Sequence, residues 1–151
     1  MIYISHRGNI YGKNVKTENT EQQIINCINL HFLVEIDLWY MNNSFFLGHD
    51  APLNKISTKF LLDNKRSLWC HAKNEMALFE LMNYNLHCFW HEEDKYTITS
   101  KGFIWAYPNS LLHKNTIAVL PEISKYSIEN LLQSFGICSD NIQYYKELIR
   151  S

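Results

Sequence analysis

No apolar run in this chain approaches the roughly 18 residues that a membrane-spanning helix requires. Neither sign of charge dominates: 14 Lys and Arg stand against 15 Asp and Glu, a formal net charge of -1 with seven histidines neutral. That balance supplies neither the basic stripe that nucleic acid demands nor the polybasic patch of a membrane-surface protein. Neither nucleic acid nor stable membrane insertion is expected. The four cysteines, Cys27, Cys70, Cys88 and Cys138, form no CxxC pair, and each sits among apolar residues. This disfavours a zinc knot or a disulfide framework and predicts free, buried thiols. Repeats, low-complexity segments and Gly/Pro linkers are missing, so residues 1–151 are expected to form a single domain. The N-terminus lacks the basic region, apolar core and small-residue cleavage site of a secretory signal, and a cytoplasmic location is expected.

What the chain does contain is ample apolar material, 46% hydrophobic, arranged as short runs with helical patterns between some of them. "MIYIS" reads as a strand. "TENTEQQIINCINL" reads as a helix, with Thr20 and Gln23 spaced as a capping box. "FLVEIDLWY" reads as a second strand, which turns at Asn42–Asn43 into a returning strand. Asn74 is placed to cap a helix over "EMALFELMNY". Ser127 opens the short helical pattern "SIENLLQSF". Asp140, with Gln143 three residues on, can cap the closing helix. Alternation of strand and helix is the signature of an α/β domain with parallel strands.

Polar residues gather where strands end. His6 and Arg7 close the first strand, and taken alone they could be a surface turn. Glu35 and Asp37 lie two apart in "VEIDL", and His71 and Lys73 lie two apart in "LWCHAK". Residues i and i+2 on a strand share a face, so each pair projects together. Two carboxylates inside a sheet repel each other and resist desolvation unless a cation pairs with them. A divalent metal ion is an economical partner. The alternative is a solvated edge strand, but the flanks are apolar on both sides, as in a buried parallel strand.

The motifs "SHRGN", "TENT", "VEIDLW", "FFLGHD" and "GICSD", in that order, resemble the glycerophosphodiester phosphodiesterases, relatives of the phosphatidylinositol-specific phospholipases C. The resemblance is densest through residue 50, weakens in the middle and returns at residues 136–140. It implies that His6 and His49 act as the catalytic acid-base pair and that Arg7 grips a phosphate oxygen. It also implies that Lys73 stands beside the phosphate, that Glu18 and Asn19 brace the site, and that Glu35 and Asp37 hold a metal. The chain departs from the family pattern at one ligand: His71 stands where a glutamate is usual. That change tilts the preference away from calcium, with magnesium favoured and manganese, calcium or zinc as alternatives. Whether His71 binds the metal is open from sequence.

The implied activity is metal-dependent hydrolysis of a small glycerophosphodiester-like or sugar phosphodiester. A phosphodiester lyase or phosphotransferase could use the same site, and a non-catalytic phosphate-binding module is the reading from another class. The implied fold is a TIM-type (β/α) barrel, but such barrels need about 250 residues. A compact or incomplete barrel is therefore expected, with several helices lost in the second half. Its strands are predicted at 2–5, 33–39, 68–71, 87–90, 103–106, 117–120 and 136–138. The aromatic residues Phe89, Trp90, Phe103, Trp105 and Tyr107 on those late strands suggest a homodimer, unless the links carrying Tyr96, Leu111 and Leu112 cover them. His91, Glu92 and Glu93 read as a charged loop, with lining the mouth of the site as the alternative, Glu122 as a residue able to reach the site, and His31, His87 and His113 as structural or surface.

Overall fold

The computed structural model describes residues 1–150. Ten strands form one sheet: β1 (Ile2–His6), β2 (Leu33–Met41), β3 (Ser44–Leu47), β4 (Asn54–Ile56), β5 (Leu68–Ala72), β6 (Cys88–Phe89), β7 (Tyr96–Ile98), β8 (Ile104–Ala106), β9 (Thr116–Val119) and β10 (Gly136–Ser139). The parallel part runs in the order β6-β5-β2-β1-β10-β9-β8. β3 and β4 extend it antiparallel beside β2, and β7 pairs antiparallel with β8. The helices are α1 (Glu21–Asn29), α2 (Thr58–Asp63), α3 (Glu75–Asn83), α4 (Ile128–Leu132) and α5 (Ile142–Arg150).

The expected TIM-type barrel does not form. The sheet is curled and mixed, it stays open between β6 and β8, and strand dominates over helix. The cause lies in the connections. The link from β6 to β8 holds the strand β7 rather than a helix. The link from β8 to β9 holds no helix, and that from β9 to β10 has only a 3₁₀ turn (Pro121–Ile123) and the five-residue α4. The β8–β9 link is too short for the dozen or more residues a helical crossover takes, and the other two spend their length on β7 and on short turns.

Local signals are mostly obeyed. Thr20 accepts from the Gln23 amide, Asn74 from the Ala77 amide, and Ser127 from the Asn130 amide, so each helix start gains a partner for an orphan N–H. Asn42 and Asn43 both adopt positive φ, 49° and 57°, as a two-residue hairpin turn requires. Asp140 is an exception. Its Oδ1 accepts from the Asn9 side chain and faces His6, while the first turn of α5 is held by the Gln143 amide donating to the Ile10 carbonyl.

The period of two in each strand sorts side chains between two cores. Val34, Ile36 and Leu38 of β2 and Leu68, Cys70 and Ala72 of β5 face the helices, packing with Ile24, Cys27, Ala77, Leu81 and Ile142. The opposite, concave face carries Ile4, Trp69, Phe89, Trp105, Ile117, Val119 and Cys138. Phe89 and Trp105 are thus buried within one chain. Trp90 and Phe103 are half-buried and Tyr107 is exposed. The four cysteines are free and buried, and burial pushes the Cys70 and Cys138 thiols well above their ordinary range.

The open side of the curl is stitched by residues around β7. The Ser100 amide donates to the Cys88 carbonyl (2.8 Å), and the Cys88 amide donates to Ser100 Oγ (3.0 Å). Thr97 Oγ1 donates to the Trp90 carbonyl (3.0 Å), and His87 Nε2 meets Thr99 Oγ1 at 2.8 Å. His87 also packs against Trp69, with ring centroids 3.9 Å apart and planes tilted by 44°. Burial, with Lys101 assisting, pulls the His87 imidazole down to about 4. The unfolded chain therefore binds a proton at His87 that the folded chain refuses between about pH 6.5 and 4. Stability is full above that window and falls as pH drops through it. The limiting slope for one group is about 1.4 kcal/mol per pH unit, and the half-exposed ring will realise only a fraction of it. His87→Gln should remove this contribution. Chemical denaturation of both proteins from pH 7 to 4.5 should show the wild-type advantage shrinking with acid, and a pH-independent difference would refute the assignment.

Candidate functional site

The concave face changes character along its strands. Two residues beyond the apolar layer, each column becomes polar: Ile4 leads to His6, Leu33 to Glu35 and Asp37, Trp69 to His71 and Lys73, and Cys138 to Asp140. Parallel pairing in register sets His6 beside Glu35 and Asp37 beside His71. These groups meet at the carboxyl ends of the strands. His6, Arg7, Glu35, His49, His71 and Lys73 line a cleft of about 370 Å³ whose far wall is Trp90, His91, Glu92, Trp105 and Tyr107. The cleft thus brings together both candidate acid-base histidines, both candidate phosphate-binding cations and two of the three candidate metal ligands. The third, Asp37, lies wholly buried beneath them.

Arg7 is held from several sides. Its Nε is 3.0 Å from Asp37 Oδ2 and its Nη1 is 3.5 Å from Glu18 Oε1. Its backbone amide donates to Glu35 Oε2 (3.0 Å). The residue adopts φ 53°, an uncommon conformation for a side chain of this size. Gly8 follows at φ 86°, so the chain turns back at once and Asn9 comes in beside Glu18 and Asp140. Asn19, also at positive φ, clasps Asp37 reciprocally: its side-chain N–H donates to Oδ2 (2.9 Å), and its Oδ1 accepts from the Asp37 amide (3.0 Å). Glu18 thus contacts Arg7 and Asn9, and Asn19 contacts Asp37. Backbone strain of this kind persists where surrounding contacts over-determine it, and it clusters at functional sites.

The groups joined by ion pairs are Glu18, Glu35, Asp37 and Asp140 on one side, and Arg7, Lys73, His6 and His71 on the other. Arg7 and Lys73 offset two of the four carboxylates. The remaining deficit matches one divalent cation, or protons on the two imidazoles. Burial, with Asp37 close by, raises the Glu35 carboxyl against the pull of His6 and His71. Asp37 is buried too, yet His71, Arg7 and Lys73 outweigh burial and hold it well below the ordinary carboxylate range. An ionised carboxylate with nothing exposed is costly unless fully partnered.

Asp37 Oδ1 is not fully partnered. It is buried and makes no hydrogen bond, although His71 Nδ1 lies 3.0 Å away and Lys73 Nζ 3.8 Å away. His71 Nδ1 is also 3.8 Å from Glu35 Oε1. Single donor atoms of Glu35, Asp37 and His71 all fall within 4.8 Å of one another. Two acids and an imidazole converging on an orphaned oxygen fit a divalent cation, and these three residues are the ones that would hold it.

His6 sits between acids. Its Nδ1 is 2.8 Å from Asp140 Oδ1, and its Nε2 is 3.9 Å from Glu35 Oε2. Burial lowers the imidazole, but Asp140 and Glu35 together outweigh it, and His6 is raised. His49, on the loop after β3, pairs with exposed Asp50 at 2.6 Å. Burial, aided by Arg7 and Lys73, lowers it despite Asp37 and Asp50.

Three contributors escape the sequence reading. Asn9 and Asp140 orient His6 and Glu18. Asp140 stands 134 residues from its histidine and looks in sequence like a helix cap. His91 is more than part of a charged loop: its ring stacks on His71 and its carbonyl faces His71 Nε2. Glu92 lines the cleft as well, whereas Glu93 is an exposed loop residue. Glu122 reaches the site indirectly, accepting from the Asp140 amide and from Ser139 Oγ. The parallel placement of "GICSD" beside the first strand is the signal that could have found Asp140.

Asp140→Asn should lower the His6 imidazole in the metal-free protein, because it removes the nearer of two charges that favour its protonated form. Histidine NMR titration in the presence of a chelator reads this directly. An unmoved His6 titration, with the fold intact, would show that Asp140 does not hold it.

Comparison of the chain with protein-family models, with curated proteins and with solved structures gives no match.

Proposed function

We propose that the protein is a metal-dependent phosphodiesterase acting on a small phosphodiester of the glycerophosphodiester or sugar type, as its motif resemblance to the glycerophosphodiester phosphodiesterases implies. The observation that carries the reading is the cleft itself. Its lining includes His6 and His49 together with two cations, Arg7 and Lys73, above a buried Glu35–Asp37–His71 cluster. A site that only held phosphate would have no use for two proton-transfer groups.

The two histidines differ in a way that divides the labour. Groups whose surroundings push their proton affinities apart are suited to opposite roles. Asp140 and Glu35 favour the protonated form of His6, and burial, aided by Arg7 and Lys73, disfavours that of His49. His49 then takes the proton from the attacking hydroxyl, of water or of the substrate's own neighbouring carbon, as the new O–P bond forms. His6 gives its proton to the alkoxide as the old P–O bond breaks. Arg7, fixed by Glu18 and Asp37, and Lys73, beside Asp37, neutralise the phosphoryl oxygens in a partly desolvated cleft. A divalent cation held by Glu35, Asp37 and His71 would add Lewis-acid polarisation of the phosphoryl group.

No helix among the described residues is long and apolar enough to cross a membrane. Four free, buried thiols suit a reducing compartment such as the cytoplasm.

A screen of small phosphodiesters with added magnesium, manganese, calcium or zinc should find a turned-over substrate. On that substrate His6→Ala and His49→Ala should each lower turnover about a hundredfold or more, the usual scale for a general acid or base. Circular dichroism should be unchanged, because both residues lie at strand ends. Wild-type rates in either variant would sink the assignment.

A further inference from the structure

We infer that the Glu35–Asp37–His71 centre is built for a nitrogen-seeking transition ion of the zinc or cobalt class, not for magnesium or calcium, with the His91 main chain as the device that sets His71 for it. The inference rests on the metal-dependent reading above and specifies its cofactor.

Three observations converge on His71. The first is its tautomer. His71 Nε2 lies 3.1 Å from the carbonyl oxygen of His91. A carbonyl can only accept, so Nε2 carries the hydrogen and Nδ1 of the neutral ring is left with a lone pair. An imidazole whose second nitrogen donates to a backbone carbonyl is the usual arrangement of a metal-ligating histidine.

The second is orientation. The His71 ring stacks against two nearly parallel rings: Phe89 at 5.1 Å and 8° between planes, and His91 at 5.1 Å and 17°. The ring is buried and has little freedom to turn away.

The third is what Nδ1 faces. It points among Asp37 Oδ1 at 3.0 Å and Glu35 Oε1 at 3.8 Å. A lone pair beside two carboxylates is repulsive unless a cation lies between them, and Asp37 Oδ1 has no hydrogen bond of its own. Magnesium and calcium prefer all-oxygen ligand sets, and magnesium also keeps several waters. An imidazole nitrogen set among oxygens suits zinc and its neighbours. A proton on Nδ1 is the competing occupant.

The test is calorimetric titration of the full chain, stripped with a chelator, with zinc, cobalt, magnesium and calcium separately. Zinc and cobalt should bind one ion per chain, at least a hundredfold tighter than magnesium. Any site gives transition ions some advantage, so the deciding comparison is His71→Glu, which restores an all-oxygen set. In that variant the zinc-to-magnesium affinity ratio should fall tenfold or more. Should the variant fail to fold, the cobalt-loaded wild type still decides. Its proton NMR spectrum should show one exchangeable, paramagnetically shifted imidazole N–H, absent in His71→Gln. An unchanged ratio in His71→Glu, or no shifted N–H in the cobalt protein, overturns the inference while leaving a metal-dependent diesterase standing. No binding of any of the four ions overturns the metal reading with it.

Discussion

Two carboxylates on the inner face of one strand organise the upper half of this molecule. Glu35 and Asp37 are almost completely buried, a placement that costs on the order of several kcal/mol per ion before compensation. The surroundings supply that compensation from every side. Asn19 clasps Asp37 from the loop before α1, Arg7 reaches it from the end of β1, and His71 and Lys73 approach from β5. The strained backbone at Arg7 and Asn19 follows from the same demand, since each must bring its polar groups to the pair from a loop rather than a strand.

The network also explains why the reactive groups need so little of the chain. Parallel strands in register deliver His6 and Glu35 to one level and Asp37 and His71 to the next, without any loop having to fold over them. The helices cover this half of the sheet: α1 and α3 pack on β2, α3 also on β5 and β6, and α5 on β1 and β10. The links without an α-helix, from β6 to β8 and from β8 to β9, lie away from the carboxylates.

Spacing in the sequence made this half of the site readable. Glu35/Asp37 and His71/Lys73 share faces because strands alternate, and the apolar flanks of "VEIDL" signalled burial on both sides. The hairpin and two of the helix caps, Thr20 and Asn74, were legible for equally local reasons. The global closure of the sheet was not, because it depends on what two short links do in place of a helix. Residues 92–102 contain a strand that no alternating pattern announced. Asp140 and Asn9 were hidden for a different reason. Their meeting with His6 is decided by the adjacency of β10 and β1, at opposite ends of the chain, and local sequence does not encode it.

The stitched seam beside β7 gives the cleft two walls of unequal firmness. The wall bearing the carboxylates is continuous parallel ladder backed by helices. The opposite wall hangs from a two-residue strand and a handful of side-chain bonds through Thr97, Thr99 and Ser100. Segments with few ladder bonds open at lower free energy than the strands they adjoin. Trp90, His91 and Glu92, which look across the cleft at the histidines, belong to that weaker wall. Substitutions there can reshape what the cleft admits without disturbing the buried acids opposite. The shape of the cleft and the buried acids are thus mechanically decoupled, and the seam can be edited alone.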